Sequence, residues 1–133
     1  MTPSIRVKAL ELTQNLQQKD YMGEVHALWE FVRDRIRYVR DIDNVETLQT
    51  ADRTLSQASG DCDDKSVLLA SLLGAIGHKS RFVAVALRDP ENFVHVLVET
   101  LVGKNQWLAA ETTEPQRLGW RPPRVANQLI KYV

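Results

Sequence analysis

The chain holds one cysteine, Cys62, in the run Ser59-Gly60-Asp61-Cys62-Asp63-Asp64, directly ahead of a strongly apolar, helix-forming segment. A thiol in the first turn of a helix faces backbone N–H groups with no intrahelical acceptor and the positive end of the helix dipole. Both favour the thiolate, which is the nucleophile. A lone cysteine is more often a small buried hydrophobe, but the acids around this one and its place at a helix start favour the nucleophilic reading. A nucleophilic thiol needs a base, and the base needs an orienting partner. Of the three histidines, His26 lies inside a helical pattern and reads as a surface or boundary residue. His78 follows a helix stop at Gly77, where a cation is a common structural device. His95 sits mid-strand in Phe93-Val94-His95-Val96-Leu97-Val98, where an imidazole needs polar partners. The next strand, Trp107-Leu108-Ala109-Ala110-Glu111, ends in an acid. A simple hairpin register about residues 102–106 sets His95 and Glu111 across from each other. Glu111 would then hold one ring nitrogen while the other faces Cys62.

The elements that must position these groups follow from periodicity. Residues 3–18 read as a first helix through Ile5, Ala9, Leu10, Leu12 and Leu16. A second spans 21–39, with Val25, Leu28, Trp29, Val32 and Ile36 at helical spacing and an end that turns extended. Residues 41–59 carry no clean period and read as irregular chain with one short helical turn. The third helix is the clearest: Asp61 as N-cap, Asp63 and Asp64 in the first turn, Leu68, Leu69, Leu72 and Leu73 within, and Gly77 as stop. The acids of this first turn are expected to point away from the thiol, since a carboxylate facing it would oppose its ionisation. The period then changes to two, giving strands at 81–87, 93–101 and 107–111, a loop at 112–123, and a short strand or helix at 125–133. Residues 120–123 are expected to close the sheet rather than line a substrate groove. Helices first and an antiparallel meander after predict an α+β fold with the sheet packed on a central helix, as a single domain over residues 1–133.

Seventeen basic and seventeen acidic residues leave no net charge, which argues against a nucleic-acid or polybasic membrane surface. Arg33, Arg35, Arg37 and Arg40 alternate with Asp34, Asp41 and Asp43, as on a salt-bridged, solvated face. No stretch is long enough to span a bilayer, and the N-terminus lacks the pattern of a signal peptide. One cysteine makes no internal disulfide and no Cys-rich zinc site, so a reducing, cytoplasmic setting is expected. Asp61, Asp63 and Asp64 invite a calcium reading, but Asp41-Ile42-Asp43-Asn44 lacks the glycine and spaced carboxylates of an EF-hand loop. Helix capping accounts for these acids, and no metal or other cofactor is expected.

Gly60-Asp61-Cys62-Asp63-Asp64, the apolar helix after it, the strand histidine His95 and the acid Glu111 after an aromatic-led strand together resemble the transglutaminase-like superfamily of papain-like cysteine enzymes. The resemblance runs from about Val25 to Thr113 and takes in Ile36-Arg37-Tyr38 and Thr54-Leu55. It departs from the family's pattern at one point: the acid there is most often Asp, and here it is Glu, with Glu114 a weaker substitute. The resemblance implies that Cys62 attacks a peptide or carboxamide carbonyl to give a thioester, that His95 protonates the leaving amine, and that Glu111 orients the ring. It implies an oxyanion site from the Cys62 N–H with Gln57 as second donor. Water as acceptor makes a protease or amidase; an amine makes a transglutaminase. Small proteins of this kind resemble bacterial or bacteriophage products acting on a peptide or protein substrate, without calcium. The rival expectations are a non-enzymatic scaffold that keeps the fold, and a redox-sensing thiol, for which no resolving cysteine exists.

Overall fold

Proline at the first helical position is pre-set for a helix, and α1 (Pro3–Thr13) begins there. The computed structural model describes residues 2–40 and 48–133. The helix ends five residues short of the sequence expectation. Beyond Leu12 only Leu16 offers an apolar contact, and Lys19 already takes a left-handed φ of 64°. Helix α2 (Tyr21–Arg35) is capped by Asp20, whose side chain accepts from the Gly23 N–H at 3.0 Å. Its Val25, Leu28, Trp29 and Val32 are buried, at spacings of three and four. The chain then turns extended, as its sequence suggested, because β1 (Arg37–Tyr38) finds a partner in β2 (Ser59–Gly60). That parallel pair, with Tyr38 against Gly60, carries no periodic signal in either segment.

Helix α3 (Ala51–Gln57) is the expected short helical turn, capped by the Thr50 hydroxyl and ended by Ala58 in the left-handed region. Residues 41–47 of that irregular stretch lie outside the described residues. Helix α4 (Cys62–Ala75) begins in a capping box: Asp61 accepts from the Asp64 N–H, and Asp64 accepts from the Asp61 N–H. It stops in a Schellman arrangement, with the His78 N–H donating to Leu73 O at 3.0 Å and the Gly77 N–H to Gly74 O at 3.2 Å. That turn needs the φ of +93° that Gly77 supplies. Leu68, Leu69, Leu72 and Leu73 are fully buried, since α4 packs against α1, α2 and α3 on one side and the sheet on the other.

The sheet joins β3 (Ser80–Ala86), β4 (His95–Leu101), β5 (Trp107–Ala110) and β6 (Asn127–Tyr132) in the order β5-β4-β3-β6, all antiparallel. The first three form the expected meander. The C-terminal segment crosses to the far edge and pairs with β3, a placement that depends on tertiary pairing alone. On the way, Gly119 N–H donates to Ala109 O and Arg121 to Trp107 O, each at 2.8 Å, so residues 119–121 cover the β5 edge. Phe82, Val98, Leu108 and Ala110 face α4 in the main core, whereas Val83, Val85, Leu97 and Ala109 form a second cluster with Val125. Within the sheet, the buried Glu99 accepts from Arg81 Nε at 2.7 Å and also pairs with Arg121, and Arg81 lies 4.2 Å over the Trp107 ring. The architecture is α+β. No helix among the described residues is long and apolar enough to cross a membrane.

Candidate active site

Cys62 opens α4 and is half-buried. What holds it is the turn before it. Gly60 is buried, and a Cβ there would lie 2.6 Å from Asp64 Cβ, so only glycine lets the chain pass close enough for the capping box. The Asp64 carboxylate accepts from the Asp61 N–H at 3.1 Å, the Gln49 N–H at 2.8 Å and Gln49 Nε2 at 3.0 Å. Burial opposes its ionisation, but these donors hold Asp64 below the usual carboxylate range. Asp61 is raised by burial, and the neighbouring Asp64 adds to this. Both acids are thus committed to the turn. The expectation that all three acids avoid the thiol fails at Asp63, whose Oδ1 lies 4.0 Å from Cys62 Sγ. It occupies the second helical position, outside the capping box that fixes Asp61 and Asp64.

His95 begins β4 with 15 % of its side chain exposed, and its Nε2 lies 2.5 Å from Glu111 Oε2. Burial disfavours the imidazolium, but a hydrogen bond to Cys62, with the hydrogen bond and charge of Glu111, outweighs it and raises His95 to about 10. The ring is thus paired with the carboxylate, and Cys62 lines the same cleft beside it. Glu111 is buried; its other oxygen accepts from the Thr113 N–H at 2.9 Å, and its carbonyl accepts from Trp29 Nε1 at 2.7 Å. The β4–β5 ladder ends at Val98 against Ala110. Glu111 is one residue beyond, where a continued ladder would face it to Leu97, so it meets His95 diagonally and not directly across. A diagonal gap is wider than a facing one, and the additional methylene of Glu over Asp spans it. Glu114 is exposed and does not replace it.

Gln57 is not brought to this cluster. It ends α3, is exposed, and with its amide set to suit its neighbours donates to Gln49 Oε1 at 2.7 Å and accepts from Arg53 Nε at 3.1 Å. It is absent from the lining of the cleft beside Cys62. The left-handed turn at Ala58 and the β2 pairing intervene, which linear spacing does not reveal.

Two neighbours escaped the sequence reading. Lys65, one turn after Cys62, is only 2 % exposed and donates to Arg33 O at 3.4 Å. Burial lowers it to about 8, with the charges of Glu111 and Asp34 working the other way. A lysine in a first turn beside three acids looks solvated, and nothing local marks it as buried. Tyr38 is aligned with Gly60, and burial together with the nearby Cys62 raises its phenol.

A cleft of about 670 Å³ opens at Cys62. Cys62, Asp63, Ser66 and Val67 line it from α4, Phe82, Ala84 and Val96 from the sheet, and Phe93 and Val94 from the β3–β4 loop. Among the described residues no three His, Cys, Asp or Glu side chains gather to hold a metal. Asp41, Asp43 and Asn44 lie outside the described residues.

Residues 9–112 match the family model described as the transglutaminase-like superfamily. No curated protein matches the chain. Among solved structures, Legionella pneumophila LapG superposes with a TM-score of 0.68 at 16 % identity, over 98 % of this chain and 80 % of that one. A calcium-bound form of LapG gives 0.69 at 15 %, over 92 % and 71 %. A protein of Cytophaga hutchinsonii, named as a candidate cysteine protease, gives 0.65 at 18 %, over 83 % of this chain and 37 % of its own. A candidate protease of Parabacteroides distasonis gives 0.65 at 20 %, over 82 % and 23 %. The chain thus spans well under half the length of these last two proteins. At such identities the likeness is one of fold.

Proposed function

The chain belongs to the transglutaminase-like superfamily, and on that premise we propose that it is a cysteine-dependent hydrolase or acyltransferase of peptide or carboxamide bonds, with Cys62, His95 and Glu111 as its triad. The observation that carries this reading is the buried Glu111 carboxylate, 2.5 Å from an imidazole that it and the neighbouring Cys62 raise to about 10. A histidine so held is an acid that keeps its proton at neutral pH beside a thiol, which is the arrangement an ion-paired nucleophile requires.

In the proposed reaction the Cys62 thiolate attacks the carbonyl carbon and forms the C–S bond. The negative oxygen is received by the backbone N–H of Cys62, which has no acceptor within the helix. His95 gives its proton to the leaving nitrogen as the C–N bond breaks. Water, deprotonated by the now neutral His95, then attacks the thioester and returns the thiol. An amine in place of water gives transamidation with the same groups. Glu111 holds the ring tautomer and stabilises its charge. The half-buried Cys62 and the open cleft beside it favour this reading over a scaffold with a vestigial site. A cleft that mixes apolar walls with Asp61 and Asp63 suits a peptide or protein better than a polyanion. A lone cysteine supports a reducing, cytoplasmic setting.

The test is the rate of Cys62 alkylation by iodoacetamide against pH, in the parent and in His95→Ala. Rapid reaction at neutral pH that collapses in the variant supports the pair. An identical profile in both proteins would remove the basis for an enzyme.

A further inference from the structure

Sheet side chains that face a helix are normally covered by it. Here α4 starts too late to cover all of them. Phe82 stands opposite Val98 and Ala84 opposite Val96, so these residues share the face that packs on α4. Val98 is fully buried, yet Phe82, Ala84 and Val96 line open space where the first turn of α4 ends. Cys62 and Ser66, then Asp63 and Val67, form the helix wall at i and i+4 spacing. Phe93 and Val94 close a third side, and Val94 is 53 % exposed. Apolar side chains left open within a concavity, beside a reactive group, mark a ligand site.

The charges add a direction. Asp61 and Asp63 lie at the Cys62 end. Lys131 also lines the cleft; it stands opposite Phe82 on the edge strand β6, and its ammonium makes no hydrogen bond or ion pair with any described residue. The cleft is therefore apolar in its middle, negative beside the nucleophile and positive at its far wall.

We propose that this cleft is the acyl-side subsite, receiving a bulky apolar residue of the substrate whose chain carries a carboxylate next to it, with Lys131 as the residue that meets that carboxylate. This rests on Cys62 being the nucleophile proposed above. A basic residue in the same place would set its charge against the apolar Phe82, Ala84 and Phe93 and on the side of Lys131.

The test uses chloromethyl ketones of single acylated residues, which label a thiol directly: Sγ attacks the methylene carbon, the C–S bond forms and chloride leaves. Labelling of Cys62 is followed by intact mass, and each rate is divided by the iodoacetamide rate of the same protein. That ratio removes the thiol's own reactivity. The phenylalanyl and leucyl ketones are expected to exceed the lysyl ketone by about tenfold or more, as burial of one large apolar side chain predicts. A succinyl cap in place of acetyl should add about threefold, as an exposed ion pair allows, and Lys131→Glu should reverse that gain. Ala84→Trp, which fills the cleft, and Val94→Asp, a surface change in the loop, should each shrink the phenylalanyl preference. Equal ratios for phenylalanyl, lysyl and aspartyl ketones would overturn the subsite. So would a preference that neither cleft variant alters. Failure of the catalytic reading shows elsewhere, as an iodoacetamide profile indifferent to His95→Ala, and the ratios judge the subsite in either case.

Discussion

Replacing Glu111 by Gln keeps the shape and an acceptor oxygen but removes the charge that faces His95. The parent imidazole is raised from 6.5 to about 10, a difference of about 3.5 units, or roughly 5 kcal/mol in favour of the imidazolium. Burial pulls against that shift, so Cys62 and Glu111 together supply more than the net. Glu111 contributes both a hydrogen bond and a charge. Without the charge, burial is opposed mainly by Cys62, and the His95 pKa should fall by about two units or more. The assay is the pH titration of the His95 ring Cε1–H by NMR. Stability carries the same information. A folded-state pKa above the unfolded value contributes stability that is complete below pH 6.5 and is lost as pH rises through about 10. Between those limits His95 should lower the parent's stability by up to about 1.4 kcal/mol per pH unit, and Glu111→Gln should flatten that slope. Turnover, where a substrate is found, should drop by about a hundredfold or more. A His95 titration unchanged in Glu111→Gln would refute the assignment of Glu111 as its counter-charge. Glu111→Asp should fall between the two proteins, because the diagonal placement needs the longer side chain.

Three further outcomes follow from the same contacts. Lys65→Met should stabilise the fold at neutral pH by up to about 3 kcal/mol, because burial lowers Lys65 from 10.5 to about 8 and the fold disfavours its charged form. The unfolded chain holds more protons between those values, so the parent recovers as pH rises from 8 to 10.5, and urea melts at two pH values read the closing difference. Gly60→Ala should cost about 1–3 kcal/mol, since its Cβ would meet Asp64 Cβ at 2.6 Å; with the capping box displaced, Cys62 alkylation at neutral pH should slow, and an unaltered melt and rate would show the turn to be tolerant. Glu99→Gln should destabilise by about 2–3 kcal/mol in thermal unfolding, as Arg81 and Arg121 lose their shared buried carboxylate, with the half-exposed Arg121 limiting the loss.

The sequence by itself determined the elements whose signals are local. Asp61, the leucines and Gly77 specify α4 through capping chemistry, a buried run and a residue able to take positive φ. Alternation specifies β3, β4 and β5, and their short turns leave few ways to pair. Cys62 at a helix start, His95 in an apolar strand and Glu111 at a strand end were legible for the same reason: each is a residue type at odds with its immediate surroundings. Tertiary structure decided what depends on contacts between distant segments. It ended α1 early for want of a surface to cover. It paired β1 with β2 and sent β6 to the far edge, where backbone hydrogen bonds formed without periodic side chains. It set Glu111 diagonal to His95, took Gln57 to Gln49 and Arg53, and buried Lys65 with its ammonium on the Arg33 carbonyl. Local propensity acts over a few residues, whereas burial and charge pairing are set by the whole packed chain, so the candidate residues could be picked out by type and their arrangement only from the fold.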